Sequence, residues 1–470
     1  MLPEYKPIID TVAADIRAAV GPDCVLCNAE NLEICAKDTS DLVRLPEMVV
    51  QPDTAAKVAR LLQLANRYRF PVTPRGAGTG LAGGAIAAHG GVVLSLAAMN
   101  RIRRVDTRNL IAEVEPGVIT RDLRRAVRTE GLYYPPDPAS LDTSTIGGNA
   151  ATNAGGPACV KYGTTRDYIL GLEAVLPSGN LVRTGVKTRK GVVGYDMTHL
   201  IVGSEGTLGV ITGLILKLIP HPPATNSMVA IFADLHTAIR TVTEIMVQGH
   251  QPSAVEFMDY RCLELVREML PFQVPSKKAS LLLIETDGPE EQTRVEIGHL
   301  AEICTQMGAT DVLPAKSPRE RDRMWEIRRQ ISLRIHDAAG MCLSEDVVVP
   351  IGSIADLVDT LPAVENQFDL KIYAFGHAGD GNIHLNFTAS DRTRASVLEQ
   401  GIRRILSKVL SLEGTISGEH GIGLAKMPFI GMELSQESIR LQMDIKRLFD
   451  PNLILNPGKI FDWSGVPKIE

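Results

Sequence analysis

The residues best suited to chemistry stand late in the chain. Ala374 to Asn386 reads A-F-G-H-A-G-D-G-N-I-H-L-N. Its ends are strand-forming and its middle, A-G-D-G-N, is turn chemistry. A hairpin here puts His377 and His384 on neighbouring strands, near enough to share a metal ion. A third ligand candidate, Glu419, lies in S-G-E-H-G-I-G from Ser417 to Gly423. Two histidines and one carboxylate suit Zn²⁺, with Fe and Mn as alternatives, and leave coordination positions open for a substrate. Glu419 and His420 are adjacent, so a strand would point them opposite ways. Gly418 and Gly421 permit a kink that aims both inward; the plain alternative is an exposed polar turn.

Earlier in the chain two stretches are built for close backbone approach. Pro74 to Ala85 reads P-R-G-A-G-T-G-L-A-G-G-A, with Gly76, Gly78, Gly80, Gly83 and Gly84. Glycine lets backbone N–H groups come against a ligand unobstructed, and successive inward N–H groups make an anion nest that suits phosphate. No G-K-[ST] closes the run and its spacing is not the Rossmann fingerprint, so neither nucleotide motif applies; a plain surface loop is the alternative. The second stretch, Pro135 to Pro157, is rich in small residues and lacks periodicity. It holds only two acidic residues, which argues for a loop wrapped around something rather than for disorder.

The elements that must carry these residues follow from periodicity. Asp53 to Arg67 is an amphipathic helix with Val58, Leu61, Leu62 and Ala65 on one face. Phe70–Thr73, Gly91–Leu96 and Leu110–Val114 read as strands, and Ile119–Thr129 as a helix. Leu172–Leu176 and Leu181–Thr184, joined by P-S-G-N, read as a hairpin. G-S-E-G-T-L-G at Gly203–Gly209 leads into an apolar strand. After Pro222-Pro223 the texture changes to strand–helix alternation, predicting an α+β domain with an antiparallel sheet and helices on one face. The chain has 470 residues, a net charge of −6, 44% hydrophobic and 4% aromatic residues, and seven scattered cysteines. That balance disfavours nucleic-acid binding. No apolar run is long enough to span a bilayer. With no signal pattern at the N-terminus, the expectation is a cytoplasmic protein, with peripheral contact at the inner face of the membrane left open. Cys24, Cys27 and Cys35 are read as isolated small apolar residues rather than as metal ligands.

Taken together, P-R-G-A-G-T-G, P-P-D-P, T-I-G-G-N-A-A-T-N-A-G-G, K-Y-G-T-T-R-D-Y-I-L-G-L and G-S-E-G-T-L-G-V-I-T resemble the FAD-binding domain of the vanillyl-alcohol-oxidase (PCMH) type. The downstream half resembles its FAD-linked 2-hydroxy-acid dehydrogenases: D-lactate dehydrogenases, D-2-hydroxyglutarate dehydrogenases and the D subunit of glycolate oxidase. The implied fold is α+β, a two-subdomain FAD-binding domain followed by an α+β cap. The implied bounds are an N-terminal segment 1–44, an FAD domain 45–222, a cap with the metal site 223–425, and a segment 426–470 that returns to the FAD domain. The resemblance implies FAD contacts from Pro74, Arg75, Gly76, Ala77, Gly78, Thr79, Gly80, Gly83, Gly84, Asp137, Gly147, Gly148, Asn149, Thr152, Gly209, Val210, Ile211 and Asn456. No His lies between Pro74 and Ala88, where some relatives attach the flavin, so the FAD is expected to be non-covalent.

The same resemblance implies that His377, His384 and Glu419 bind the metal and that His420 is the base. It makes Arg328, in M-W-E-I-R-R, the anchor for a substrate carboxylate, with Asn386 bonding the same substrate. Relatives selective for 2-hydroxyglutarate carry a Lys where this chain has Ser344, which favours lactate or glycolate. The expected reaction is oxidation of a D-2-hydroxy acid to the 2-oxo acid, with hydride passing to flavin N5. No NAD fingerprint and no iron–sulfur cysteine pattern occurs, so the acceptor is expected to be oxygen, a quinone, an electron-transfer flavoprotein or an iron–sulfur partner subunit. Two rivals remain at this point. A flavin oxidase of amines or phenols predicts aromatic substrate packing and no metal. A flavin-bearing electron-transfer subunit needs neither Arg328 nor the two-His turn.

Overall fold

The computed structural model describes residues 2–274 and 278–464, so the last residues of the 426–470 segment, 465–470, lie outside them. The chain forms two compact units. The first is Met1–Ala154, Thr164–His221 and Glu419–Glu470; the second is Gly155–Gly163 and Pro222–Gly418.

The first unit has two main sheets. In one, Val72–Arg75 and Met48–Val50 run parallel to Val92–Ser95, and Val25–Leu26 adds an antiparallel edge. The helix Ala55–Tyr68 packs on it through Val58, Leu61, Leu62 and Ala65, the face the periodicity predicts, and the Thr54 hydroxyl caps its start. Residues 1–44 are more than a leading segment. The helix Asp10–Val20 buries Val12, Ala13, Ile16 and Val20 in the same core. The second sheet is five-stranded and antiparallel, in the order Ile102–Asp106, Ile111–Val114, Val210–Lys217, Ile169–Val175, Leu181–Gly185. Its last pair is the predicted hairpin. The C-terminal segment closes the first sheet, since Val72 donates to Ile454 O and accepts from Asn456 N.

The Pro135–Pro157 stretch is not loop throughout. Ile146–Thr152 is a helix, with Thr145 Oγ1 accepting from Gly148 N as its cap. Gly147 and Gly148 hid it, because glycine is a poor helix former; the backbones here pack so closely that a Cβ on Gly147 would meet Pro116 Cβ at 2.4 Å. The residues that follow, 155–163, belong to the second unit. Lys161 Nζ and Tyr162 Oη both donate to the Asp287 carboxylate, at 2.5 and 2.7 Å.

The second unit is built on a seven-stranded antiparallel sheet. Its strands are β1 (Ala224–Phe232), β2 (Ala254–Met258), β3 (Ser280–Gly288), β4 (Asp311–Pro314), β5 (Met341–Val348), β6 (Lys371–His377) and β7 (Asn382–Ala389), in the order β4-β1-β3-β2-β6-β7-β5. The period-2 alternation divides it into two faces. Ala230, Phe232, Leu282, Phe257, Ala374, Leu385 and Phe387 are buried on one, beneath the helices Leu235–Val247, Glu290–Gln306 and Ala395–Ser411. The expectation of helices on one face only is corrected. Tyr260–Val266 and Pro318–Ala338 cover much of the other, against Val229, Ile231, Leu281, Leu283, Met258 and Phe375. The part of this second face nearest the β6–β7 turn is polar.

Candidate active site

Three register rows define that polar area. Glu256 of β2 pairs with His377 of β6, which pairs with Asn382 of β7. In the next row Met258, Phe375, His384 and Asp346 are neighbours, and in the third Tyr373, Asn386 and Ser344. His377 and His384 are therefore diagonal neighbours on one face, within mutual reach of long side chains. Their Nε2 atoms are 3.4 Å apart and the rings are perpendicular. Two nitrogens bound tetrahedrally at about 2.0–2.1 Å would lie about 3.3–3.4 Å apart, so the spacing of this pair matches that of two ligands on one Zn²⁺-like ion.

Glu256, a residue the sequence reading passed over, holds this arrangement. It is completely buried. One carboxylate oxygen accepts from His377 Nδ1 at 2.5 Å; the other accepts from Arg328 Nε and Nη2 at 2.8 and 2.7 Å. Burial pushes its pKa up, but His377 and Arg328 outweigh that and leave it below the usual carboxylate range. An ionised carboxylate only accepts, so Nδ1 of His377 carries a proton; in the neutral ring this leaves the lone pair on Nε2, the nitrogen nearest His384.

Arg328 comes from the long helix Pro318–Ala338, whose Met324, Ile327, Ile331 and Ile335 are buried in the core. Trp325 Nε1 donates to Glu285 at 2.8 Å, which fixes the rotation of the helix on the sheet. The Arg328 guanidinium lies 4.4 Å over the Phe375 ring. Its Nη1 donates to no protein acceptor among the described residues. Asn386 is 2% exposed, and its Oδ1 accepts from Ser344 Oγ at 2.6 Å. Asp346, also missed, accepts from Gly418 N at 2.8 Å and Ser417 Oγ at 3.3 Å. It thereby fixes the backbone immediately before Glu419.

The first unit gathers the remaining predicted positions. Pro74 and Arg75 end a strand. Beyond them, no backbone N–H between Ala77 and Ala85 donates to a protein acceptor among the described residues. Several of these residues are buried or half-buried, and orphan N–H groups there call for an outside acceptor. Gly78 has φ +73°, and a Cβ on Gly76 would fall 2.4 Å from Thr145 Oγ1. The helix carrying Gly147, Gly148, Asn149 and Thr152 thus packs directly against this loop. Asn149 Nδ2 donates inward to Thr120 at 2.8 Å, and Thr152 Oγ1 back to Gly148 O. Val210 and Ile211 begin the central strand of the five-stranded sheet, directly after Gly209, and the Val210 side chain enters the first-sheet core. Asp137 lies in the irregular stretch between the strand Leu132–Tyr133 and the turn at Ser140. Asn456 is 1% exposed; its Nδ2 donates to Gly84 O and Glu205 O while Oδ1 has no partner among the described residues. The donor-rich loop and this orphan acceptor fit a phosphate-bearing cofactor with polar groups along its length.

Glu205, in the G-S-E-G-T run, holds the segment around His420. Its two carboxylate oxygens accept from Ile422 N at 2.7 Å and Gly423 N at 2.8 Å. Burial raises its pKa, opposed by those two N–H groups and by Lys459 and Lys426. Glu419 and His420 lie in irregular backbone before a left-handed Gly421, φ +80°, with Oε1 and Nε2 4.0 Å apart.

Residues 46–185 match the family model "FAD binding domain", and residues 221–460 match "FAD linked oxidases, C-terminal domain". The chain belongs to the FAD-linked oxidases. Within this family it is 40% identical over 436 residues to the glycolate oxidase subunit GlcD of Bacillus subtilis, covering 92% of this chain and 93% of that one. It is 39% identical to a D-lactate dehydrogenase of Anaerostipes hadrus, covering 88% and 89% of the two chains. A D-lactate dehydrogenase of Archaeoglobus fulgidus is 37% identical, over 88% and 91%. The fold is that of p-cresol methylhydroxylase, with a TM-score of 0.80 at 18% identity over 96% and 97% of the chains. The 4-ethylphenol oxidase of Gulosibacter chungangensis has a TM-score of 0.78 at 17% identity over 98% and 99%. The expected PCMH-type fold with an antiparallel cap sheet is thus borne out. As an FAD-linked oxidase, the chain brings to its flavin domain a glycine-rich loop, Asn456 and Glu205. Among the described residues no helix is long and apolar enough to cross a membrane.

Proposed function

We propose that this FAD-linked oxidase oxidises a small D-2-hydroxy acid, lactate or glycolate, to the 2-oxo acid. The observation that carries the reading is the pair His377–His384, set 3.4 Å apart at Nε2 beside the Glu256–Arg328 ion pair. A metal-ready imidazole pair and a buried guanidinium on one sheet face suit a substrate with a hydroxyl beside a carboxylate. The names of the relatives support the same substrate class.

Non-covalent FAD would be held by Pro74 to Gly80, Gly83, Gly84, Asp137, Gly147 to Asn149, Thr152, Gly209 to Ile211 and Asn456. When bound, it supplies the two-electron acceptor that the protein's own side chains lack. His377, His384 and Glu419 would hold a divalent ion, Zn²⁺ in first place with Fe and Mn as alternatives, and such an ion lowers the pKa of a coordinated hydroxyl. Arg328 orients the substrate carboxylate through the edge of its fork not taken by Glu256. Asn386, aligned by Ser344, offers the substrate a hydrogen bond. His420 takes the hydroxyl proton on a ring nitrogen as Cα loses its hydride. Glu205 keeps that His on a fixed backbone through Ile422 and Gly423. Electrons then leave to an acceptor other than NAD: an electron-transfer flavoprotein, a quinone or an iron–sulfur partner subunit.

Ser344, hydrogen-bonded to Asn386 rather than offering a cation, favours a substrate with one carboxylate over 2-hydroxyglutarate. The decisive experiment is anaerobic flavin bleaching with a panel of D- and L-2-hydroxy acids. D-lactate or glycolate should bleach the flavin fastest. Bleaching by 2-hydroxyglutarate alone would reverse the substrate assignment, and bleaching by none of them would leave an electron-transfer subunit as the reading.

A further inference from the structure

One carboxylate in the second unit serves two partners of different kinds. Glu256 Oε1 accepts from a candidate metal ligand, and Oε2 accepts from the candidate anchor of the substrate carboxylate. We propose that Glu256 is a positioning residue that fixes the tautomer of His377 and the orientation of Arg328 together, so that the metal site and the substrate-anion site are set by a single side chain.

The chemistry of the acceptor makes this specific. Only a group that accepts on both oxygens and donates on neither can satisfy His377 Nδ1–H and the Arg328 fork at once. If His377 Nδ1 had no acceptor, the proton could move to Nε2 and remove the lone pair that faces His384. If Arg328 lost its partner, its guanidinium would be free to swing from the Phe375 ring. The site is rigid enough for this to matter, because Glu256 is entirely buried, with Val255 and Phe257 buried beside it, on a strand paired along both edges. Groups that orient a ligating His typically change metal affinity about 10- to 100-fold when removed.

The role rests on the metal and substrate reading proposed above, and the test separates the two. FAD-loaded wild type, E256Q and E256A are compared by two equilibrium constants. One is for Zn²⁺, by competition with a chromophoric chelator. The other is for pyruvate as a 2-oxo acid, by perturbation of the flavin spectrum. In E256Q the amide has one acceptor and one donor. Either its oxygen serves His377 and its NH₂ opposes Arg328, or the reverse. At least one of the two constants must therefore weaken, by roughly tenfold or more, while the nearly isosteric side chain keeps the fold. E256A should weaken both. A residue with a merely structural role would lower the melting temperature and leave both constants within about threefold of wild type, and that result in E256Q overturns the proposal. Wild-type protein that takes up no Zn²⁺ overturns the metal reading and this role with it. Wild type that binds both ligands, beside an E256Q that also binds both equally well, overturns this role alone.

Discussion

The sharpest consequence of the first unit concerns Glu205→Gln. The two carboxylate oxygens accept the backbone N–H groups of Ile422 and Gly423, at 2.7 and 2.8 Å, in a residue 8% exposed. Glutamine keeps one acceptor and turns an NH₂ toward the other backbone donor. One charge-assisted bond, worth about 1.5–3 kcal/mol, is lost, and a buried N–H is left unsatisfied at about 1–3 kcal/mol. Partial relaxation makes a total of roughly 2–4 kcal/mol reasonable. A chain of two compact units does not have one well-defined unfolding free energy, so the effect is best read locally. Amide hydrogen exchange of the peptide covering residues 419–426 should speed up by roughly 30- to 900-fold, the same energies expressed as opening equilibria. The helix Leu235–Val247 in the second unit serves as internal control and should exchange as in wild type. Flavin reduction should slow as well, because His420 stands two residues before Ile422. Unchanged exchange in 419–426 would refute the claim that Glu205 anchors this segment, whatever happened to turnover.

Three further outcomes are expected. His420→Ala should keep FAD and metal and slow flavin reduction by ~10²–10⁴-fold, with the loss falling mainly on kcat; pre-steady-state reduction at the wild-type rate under saturating substrate would make His420 a bystander. His377→Ala and His384→Ala should each lose bound metal and turnover while retaining FAD, since their side chains stand on the second unit's sheet and the flavin-loop residues on the first unit; elemental analysis with full metal in both would rule the ligand assignment out. Acid precipitation should release all the flavin as free FAD, because the glycine-rich loop carries no His, and colour left in the pellet would count against non-covalent binding.

Much of this architecture could be read from local pattern. The helix Ala55–Tyr68 and the hairpin of Ile169–Val175 with Leu181–Gly185 fall where periodicity and turn residues put them. The β6–β7 hairpin does too, because A-G-D-G is strong turn chemistry between two strand-forming runs. The glycine-rich loop was legible because few other roles call for so many glycines in twelve residues. What escaped notice depends on partners far away in sequence. Glu256 meets His377 across 121 residues, and Glu205 meets Gly423 across 218. A faint signal was available for Glu256: A-V-E-F-M is a buried apolar strand with one acid, and a buried carboxylate demands a partner. Asp346, in E-D-V-V-V-P, gave no such hint beside its acidic neighbour. The helix Ile146–Thr152 was masked by its own glycines, whose helix propensity yields to tight packing against Pro116 and Thr145. The second helical layer on the cap sheet was missed because strand alternation tells which residues alternate but not what covers each side.

The way the chain is threaded also sets an order of events during synthesis. The first unit is interrupted at His221 and resumes only at Glu419, and Ile454 and Asn456 hydrogen-bond to Val72 at its sheet edge. At about 5–20 residues per second, translating the intervening stretch takes roughly 10–40 s. Through that interval the nascent first unit has its glycine-rich loop but neither the last strand partner nor Asn456. The inserted unit, whose main body is continuous from Pro222 to Gly418, can complete its sheet on the ribosome beforehand. Until Ile454 and Asn456 emerge, the Val72 strand therefore lacks its edge partner and the glycine-rich loop lacks the side chain that donates to Gly84 O.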